Sequence, residues 1–209
     1  MADRNSSDKR KRVVVALGGN ALVEKGQPLT IAAQRRGARK AGSAIAEIHQ
    51  NYDVIATHGN GPQIGALSLQ SQSSTVLPDQ TLDVLNAQSE GMIGYILEQE
   101  LYNCLPDHRV ATLLTLVLVD PNDEAMATPN KPVGPWCEAS EWLPLAKTNG
   151  WFAIEEGGLY RRIVPSPEPI EILEIPAIEA LLRVGVVPIC AGGGGIAVSL
   201  MADGSLSGV

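Results

Sequence analysis

Several things are scarce or missing in this 209-residue chain, and each absence excludes a class of protein. No apolar run approaches the roughly 18 to 20 residues that a membrane-spanning helix needs, so no membrane is expected. Only three cysteines occur, Cys104, Cys137 and Cys190, an odd number without CxxC or CxxH spacing. They offer neither a disulfide framework nor a zinc site, and they point to a reducing compartment, the cytoplasm. No GxGxxG follows the first strand-like run and no GxxxxGKS or GxxxxGKT loop occurs, which excludes the dinucleotide fingerprint and the P-loop. Neither a Ser/His/Asp set nor a cluster of metal ligands can be assembled, and no internal repeat is visible. Lysine is confined to Lys9, Lys11, Lys25, Lys40, Lys131 and Lys147.

What is present suits one globular domain. Apolar residues make up 44% and charged residues 19%, too apolar for disorder, and the length allows a real core. The net charge of −7 is unevenly placed. Residues 1–12 hold five basic and two acidic side chains, so residues 13–209 carry eleven basic against 21 acidic, a net −10. Such a body repels phosphate backbones, which argues against a nucleic-acid partner. The opening MADRNSSDKRKR has no apolar stretch behind its charges; it is no secretory signal and reads as a disordered tail over residues 1–12.

Val13–Leu17 is a β-branched apolar run ending at Gly18-Gly19, the pattern of a parallel strand buried on both faces. Ala38, Ala41, Ile45 and Ile48 recur at helical spacing, so 30–50 reads as a helix with one buried stripe. Asp53–Thr57 reads as a second strand, 81–103 as a helix, and Val110–Val119 as a third strand. Pro176 then starts a helix that Gly185 closes, and Val186–Cys190 is a strand running into Gly192–Gly195. Strands alternating with helices predict an α/β fold, a three-layer α/β/α sandwich on a mainly parallel sheet. Residues 121–170 break the rhythm with eight prolines and two short β-like runs, 152–155 and 160–164, around Gly157-Gly158. They read as a small inserted lid with a hairpin, or else as a long loop. Trp136, Trp142 and Trp151 all fall there and would pack it.

Three predicted strands therefore end in glycine-rich turns: Gly18-Gly19-Asn20, Gly59-Asn60-Gly61 and Gly192–Gly195, with Gly193 and Gly194 the candidates in the third. Ligands of open α/β sheets bind at the carboxyl ends of strands. Glycine lets backbone N–H groups approach an anion, and a helix start adds partial positive charge. Asn20 and Asn60 could each donate side-chain hydrogen bonds there without adding charge. Lys131, between Pro129 and Pro132, could bring a point charge over the strand ends, or could be a surface lysine. His58 reads as a loop-orienting group, with general acid–base chemistry as the alternative.

The stretches VVVALGGNAL (13–22), HGNGPQIG (58–65), QSEGMIGY (88–95), LVDPND (118–123), PNKPVGP (129–135), YRRIVPSPEP (160–169) and AGGGGIAV (191–198) resemble, in order, the carbamate kinases of the amino acid kinase family. The resemblance implies reversible phosphoryl transfer between carbamoyl phosphate and ADP, giving ATP and carbamate, with Mg²⁺ accompanying ADP or ATP. It also implies a cytoplasmic homodimer of sandwich subunits with a protruding lid, and a place in arginine fermentation or purine breakdown. Gly18, Gly19, Asn20, Gly59, Asn60 and Gly61 match the loops that hold carbamate and the transferred phosphoryl, and Lys131 matches the lysine that touches it. Departures from the family pattern fall mainly in the lid: Asn130 where threonine is usual, Glu155–Leu159 before the Arg161-Arg162 pair, and Glu168 for a common lysine. Ala197 stands for a usual proline. The family's nucleotide-side motifs (an IDKD-like segment, an LTDVD strand and a PKV lysine) do not occur in these 209 residues. The chain thus resembles a C-terminally truncated, partial amino acid kinase domain over 13–209. The alternative function is an inactive homologue acting as an anion-binding or dimerisation partner, for instance beside a full-length homologue.

Overall fold

The structure, a computed structural model, describes residues 10–24, 26–74 and 76–209, with the side chain of Asn20 outside the description. Of the expected tail, residues 1–9 lie outside the described residues, while Arg12 opens the first strand. In chain order the elements are β1 (Arg12–Leu17), α1 (Gly19–Leu22), α2 (Ile31–His49), β2 (Asp53–His58), α3 (Gly61–Gln72), α4 (Leu82–Cys104), β3 (Arg109–Thr112), β4 (Leu116–Val119), α5 (Glu124–Ala127), β5 (Lys131–Pro132) and β6 (Cys137–Glu138). They continue with α6 (Ala139–Asn149), β7 (Phe152–Glu156), β8 (Leu159–Val164), β9 (Pro169–Ile172), α7 (Ile175–Arg183), β10 (Val186–Ile189), a 3₁₀ turn (Gly192–Gly194), β11 (Ile196–Leu200) and β12 (Leu206–Gly208).

The chain divides into two compact units. The first comprises the described residues up to Asn60 with Asn86–Val117 and Ile172–Ile196; the second comprises Gly61–Leu85, Leu118–Glu171 and Ala197–Val209. In the first unit a parallel sheet runs in the order β1-β2-β10-β3. Alternate residues of β2 face opposite ways. Val54 and Ala56 pack with Ala38 and Ile45 of α2 and with Ile93, Leu97 and Leu101 of α4. Ile55, from the other side of the strand, packs with Ile178 and Leu182 of α7. Helices on both faces of a parallel sheet are the expected three layers.

Two expectations change. β1 is not buried on both faces: it lies at the edge of its sheet, and Val14 is 63% exposed. The strand that is buried at every position is β10, flanked by β2 and β3. The apolar run Val110–Val119 is not one strand but two, β3 and β4, in different sheets. The break has a cause in Thr115, which is fully buried. Its N–H donates to Glu90 Oε2 at 3.0 Å, its carbonyl accepts from Ile196 N at 2.8 Å, and its hydroxyl donates to the Leu113 carbonyl. Every polar atom of Thr115 is committed away from a continuous strand.

The second unit holds the proline-rich segment. The expected hairpin is present as β7 and β8, antiparallel from Phe152↔Ile163 to Glu156↔Leu159, and β8 also pairs with β5 and β6. α6 was not expected there, since the proline-rich segment read as a hairpin-bearing lid or a long loop; Pro144 sits inside the helix, which Gly150 closes in the left-handed conformation. Trp142 of α6 is buried and Trp151 lies 6.0 Å from it, as expected of lid packing. Ile64, Leu85, Val133 and Val164 form the core of this unit. α3, too, lacks a clear apolar period; Gly65 lets it press against the backbone of Gly134, and a Cβ on Gly65 would overlap that residue.

Candidate anion-binding site at the strand ends

Because β1, β2 and β10 are parallel, their carboxyl ends lie along one edge, and the three glycine turns follow from them. In the first turn Gly18 is extended, Gly19 starts α1 and Ala21 N–H closes on the Gly18 carbonyl at 2.8 Å. In the second, Gly59 N–H donates to the Leu17 carbonyl at 2.8 Å, and a Cβ on Gly59 would stand 3.2 Å from Gly19 N. In the third, Gly193, Gly194 and Gly195 have positive φ, which glycine adopts without strain, and Ala191 before them is left-handed at φ 51°. A Cβ on Gly193 would overlap the Asn60 side chain. The sequence-predicted Gly18, Gly19, Gly59, Asn60 and Gly193 are therefore gathered in the first unit, with Gly194 next to them in the chain.

Asn60 does something other than expected. It is 3% exposed, and its side-chain amide donates inward to Asn86 Oδ1 and, at 2.7 Å, to Ser89 Oγ, leaving no amide hydrogen for a ligand. Asn86 Nδ2 in turn donates to the Gly195 carbonyl at 2.7 Å, and Ser89 Oγ donates to the Asn86 carbonyl at 2.8 Å. Asn60 is a tie between the second and third turns, made through the start of α4. That α4 turn went unseen in the sequence, although Ser89 and Glu90 lie in the QSEGMIGY stretch. No spacing signal links residues 26 and 109 positions apart.

Behind the turns lies a buried polar layer. His58 is 4% exposed, with Nδ1 3.3 Å from the Gly59 carbonyl, and burial pushes its pKa down, favouring the neutral ring. This is the geometry of a loop-orienting histidine. Glu90 is 1% exposed; Oε2 accepts from Thr115 N, whereas Oε1 has no hydrogen-bond partner among the described residues. Burial raises its pKa to about 7, aided by the nearby Glu174 carboxylate and opposed by the Thr115 bond. A Cβ on Gly192 would overlap His58 and stand 2.8 Å from Glu90 Cγ. Thr57 Oγ1 donates to the Ala191 carbonyl at 2.9 Å, and Ala191 N–H donates to Thr115 Oγ1 at 2.8 Å.

Gly61 and Lys131 belong to the second unit. Gly61 starts α3, with Pro62 in the first turn where its missing N–H costs nothing, and its carbonyl accepts from Gly134 N at 3.0 Å. Lys131 pairs with Val164 across β5 and β8, is partly buried, and burial alone pushes its ammonium pKa down. No group of three His, Cys, Asp or Glu that could hold a metal ion occurs among the described residues.

The amino acid kinase family matches residues 11–202. The chain belongs to that family. It is 48% identical over 186 residues to the carbamate kinase of Haemophilus influenzae, covering 88% of this chain and 60% of that protein. It is 43% identical over 209 residues to the carbamate kinase of Thermococcus kodakarensis, covering 95% and 66%. Among solved structures, carbamate kinase from Giardia lamblia bound to citric acid superimposes with a TM-score of 0.88 at 39% identity, over 96% of this chain and 67% of that one. The same Giardia enzyme bound to AMP-PNP gives 0.84 at 38%, over 96% and 66%. The chain spans 57–60% of the length of two bacterial relatives and 66% of the archaeal one. The glycine turns and the buried layer behind them thus lie within an amino acid kinase fold.

Proposed function

We propose that this chain carries the carbamoyl-phosphate side of a carbamate kinase site, for reversible transfer of a phosphoryl group from carbamoyl phosphate to ADP, giving ATP and carbamate. The observation that carries the reading is the meeting of the Gly18-Gly19, Gly59-Asn60 and Gly193 turns at the carboxyl ends of parallel strands. The carbamate kinase names of the relatives support it. Phosphoryl transfer asks for positioning and charge neutralisation on the equatorial oxygens, with little covalent chemistry from the protein. Backbone N–H groups of Gly18, Gly19, Asn20, Gly59 and Gly61 would hold the anion, Gly193 and Gly194 would shape the wall, and Lys131 would supply the point charge. Asn60 acts through the loops it ties. ADP or ATP would bring Mg²⁺; the described residues offer no cage for the ion, which belongs with the nucleotide's phosphates.

The proposal includes a cytoplasmic setting, to which three free cysteines are suited, and a homodimer or pairing with a longer homologue. No helix among the described residues is long and apolar enough to cross a membrane.

Two assays on the purified chain test the reading: calorimetric titration with carbamoyl phosphate, and luciferase-coupled ATP formation with ADP and Mg²⁺. Lys131→Ala should weaken binding or slow turnover by about 10²–10³-fold, the usual size for loss of one preorganised electrostatic group. Folded protein that binds neither carbamoyl phosphate nor phosphate would overturn the proposal. Lys131-dependent binding without ATP formation would select the anion-binding partner instead.

A further inference from the structure

A polar cavity lies within the second unit. It measures about 180 Å³ and is lined by Ser68 and Gln72 of α3, Asp79, Leu82, Trp151 and Arg162, among others. Ser68 and Gln72 stand seven and eleven residues beyond Gly61, which puts them roughly 10 and 16 Å along the helix axis from it.

Arg162 is the unusual group. Its guanidinium lies 3.7 Å from the centre of the Trp151 ring, and Nη1 donates to Ser68 Oγ at 2.9 Å. Three other arginines meet carboxylates, Arg12 and Arg183 at Glu179 and Arg39 at Glu100, while the neighbouring Arg161 donates to the Gly134 carbonyl at 2.9 Å. No carboxylate pairs with Arg162 among the described residues. Burial without a counter-ion lowers its pKa to about 10. A guanidinium has five N–H donors in a fixed fork that matches a carboxylate, and holding one in a cavity with a single neutral acceptor is unfavourable unless something else arrives. A simple anion would also meet Asp79, the one carboxylate among the lining residues, and be repelled. A second acceptor on the lining is Gln72, whose Oε1 is buried without a hydrogen-bond partner among the described residues. The cavity thus offers guanidinium donors, carboxylate and amide acceptors, and apolar walls from Leu82 and Trp151.

We infer that this cavity binds a small zwitterion of the α-amino-acid class, its carboxylate on the Arg162 guanidinium and its ammonium on Asp79 and Gln72 Oε1. The ligand supplies the charge complement that the protein withholds from both groups. Arg162 also accepts Val133 N–H through its carbonyl at 2.9 Å, on the strand pair that carries Lys131.

The test is titration of the full chain with glycine, L-alanine, L-glutamine and L-leucine, and separately with acetate, inorganic phosphate and methylamine. Tryptophan fluorescence reports through Trp151, and the melting temperature reports independently. The expected result is saturation by at least one amino acid with a Kd on the order of 1 mM or tighter. Acetate, phosphate and methylamine should each bind at least about tenfold more weakly, since each satisfies one end only. Arg162→Gln should abolish the response and Arg162→Lys weaken it, the point charge lacking the fork. Asp79→Asn, at an exposed position that does not threaten folding, should weaken amino-acid binding about tenfold and decides the matter if the Arg162 variants do not fold. No saturation by any amino acid, equal affinity for acetate or phosphate, or affinity unchanged in Asp79→Asn would each overturn the assignment.

Discussion

Glu90 makes stability fall as pH rises through a window that the structure sets. Its carboxyl is 1% exposed, with one oxygen on Thr115 N–H and the other without a partner among the described residues. The groups facing it are His58, Cys190 and the carboxylate of Glu174, and burial moves its pKa from 4.5 to about 7. The unfolded carboxyl releases its proton near pH 4.5, the folded one near 7, so the folded state holds more protons throughout the interval. The favourable contribution is fully present below pH 4.5 and is lost as pH rises through about 7. At ~1.4 kcal/mol for each pH step, the total is on the order of 3 kcal/mol. His58 works in the opposite sense, because burial lowers its pKa and stability is lost as pH falls through that range. Wild type alone would blur the two. The difference between wild type and Glu90→Gln isolates the carboxyl, since glutamine keeps the acceptor for Thr115 N–H and cannot ionise. Melting temperatures of the two should converge near pH 4.5, and at pH 8 the Gln variant should melt about 6–12 °C higher, at roughly 2–4 °C per kcal/mol for a chain of this size. A difference that stays constant from pH 5 to 8 would refute the assignment of a protonated carboxyl behind the third turn.

Other substitutions probe the same layer. Gly193→Ala forces a Cβ into Asn60 at φ +66°, and should lower stability by about 2–4 kcal/mol in thermal unfolding while weakening phosphate binding. Asn86→Ala removes an acceptor from Asn60 and a donor from Gly195, and should cost roughly 2–3 kcal/mol, a fall of about 4–12 °C in Tm. The Cys190 thiol is 5% exposed and burial pushes its pKa up to about 11, so a chromogenic disulfide reagent at pH 8 should leave Cys190 unreacted until the chain is unfolded.

What the sequence disclosed, and what it hid, divides by the range of the interaction that decides each feature. β2, α2, α4, α7 and β10 were legible because their periodicity and their stops lie within each segment. The β7–β8 hairpin was legible from two short runs around Gly157-Gly158. Burial of β1 was misjudged because an apolar run does not say which position in the sheet its strand takes, and here it takes the edge. The break after β3 was hidden because Leu113–Thr115 is as apolar as its neighbours; the break comes from Glu90 and Ile196, 25 positions before Thr115 and 81 after it. α6 was hidden by the proline-rich composition of its segment, Pro144 included, whereas burial of Trp142 is decided by contacts that no local rule weighs.

The candidate site shows the same division, with a consequence for how it works. The glycines of the three turns were legible because closely approaching backbone calls for glycine, and that demand is written locally. The polar layer that fixes those turns was not. Asn60 was expected to face a ligand, yet both hydrogens of its amide are spent on Asn86 and Ser89. If the donors to the ligand are backbone N–H groups, their direction depends on turn geometry, and turn geometry depends on Asn60, Asn86, Ser89, Glu90 and Thr115. Substitutions in this layer should then weaken anion binding without removing any group that touches the anion. Lys131 alone among the predicted side chains would act by direct contact. A cradle of this kind would be tuned from behind, in part by residues such as Asn86 and Thr115 that lie outside the glycine turns.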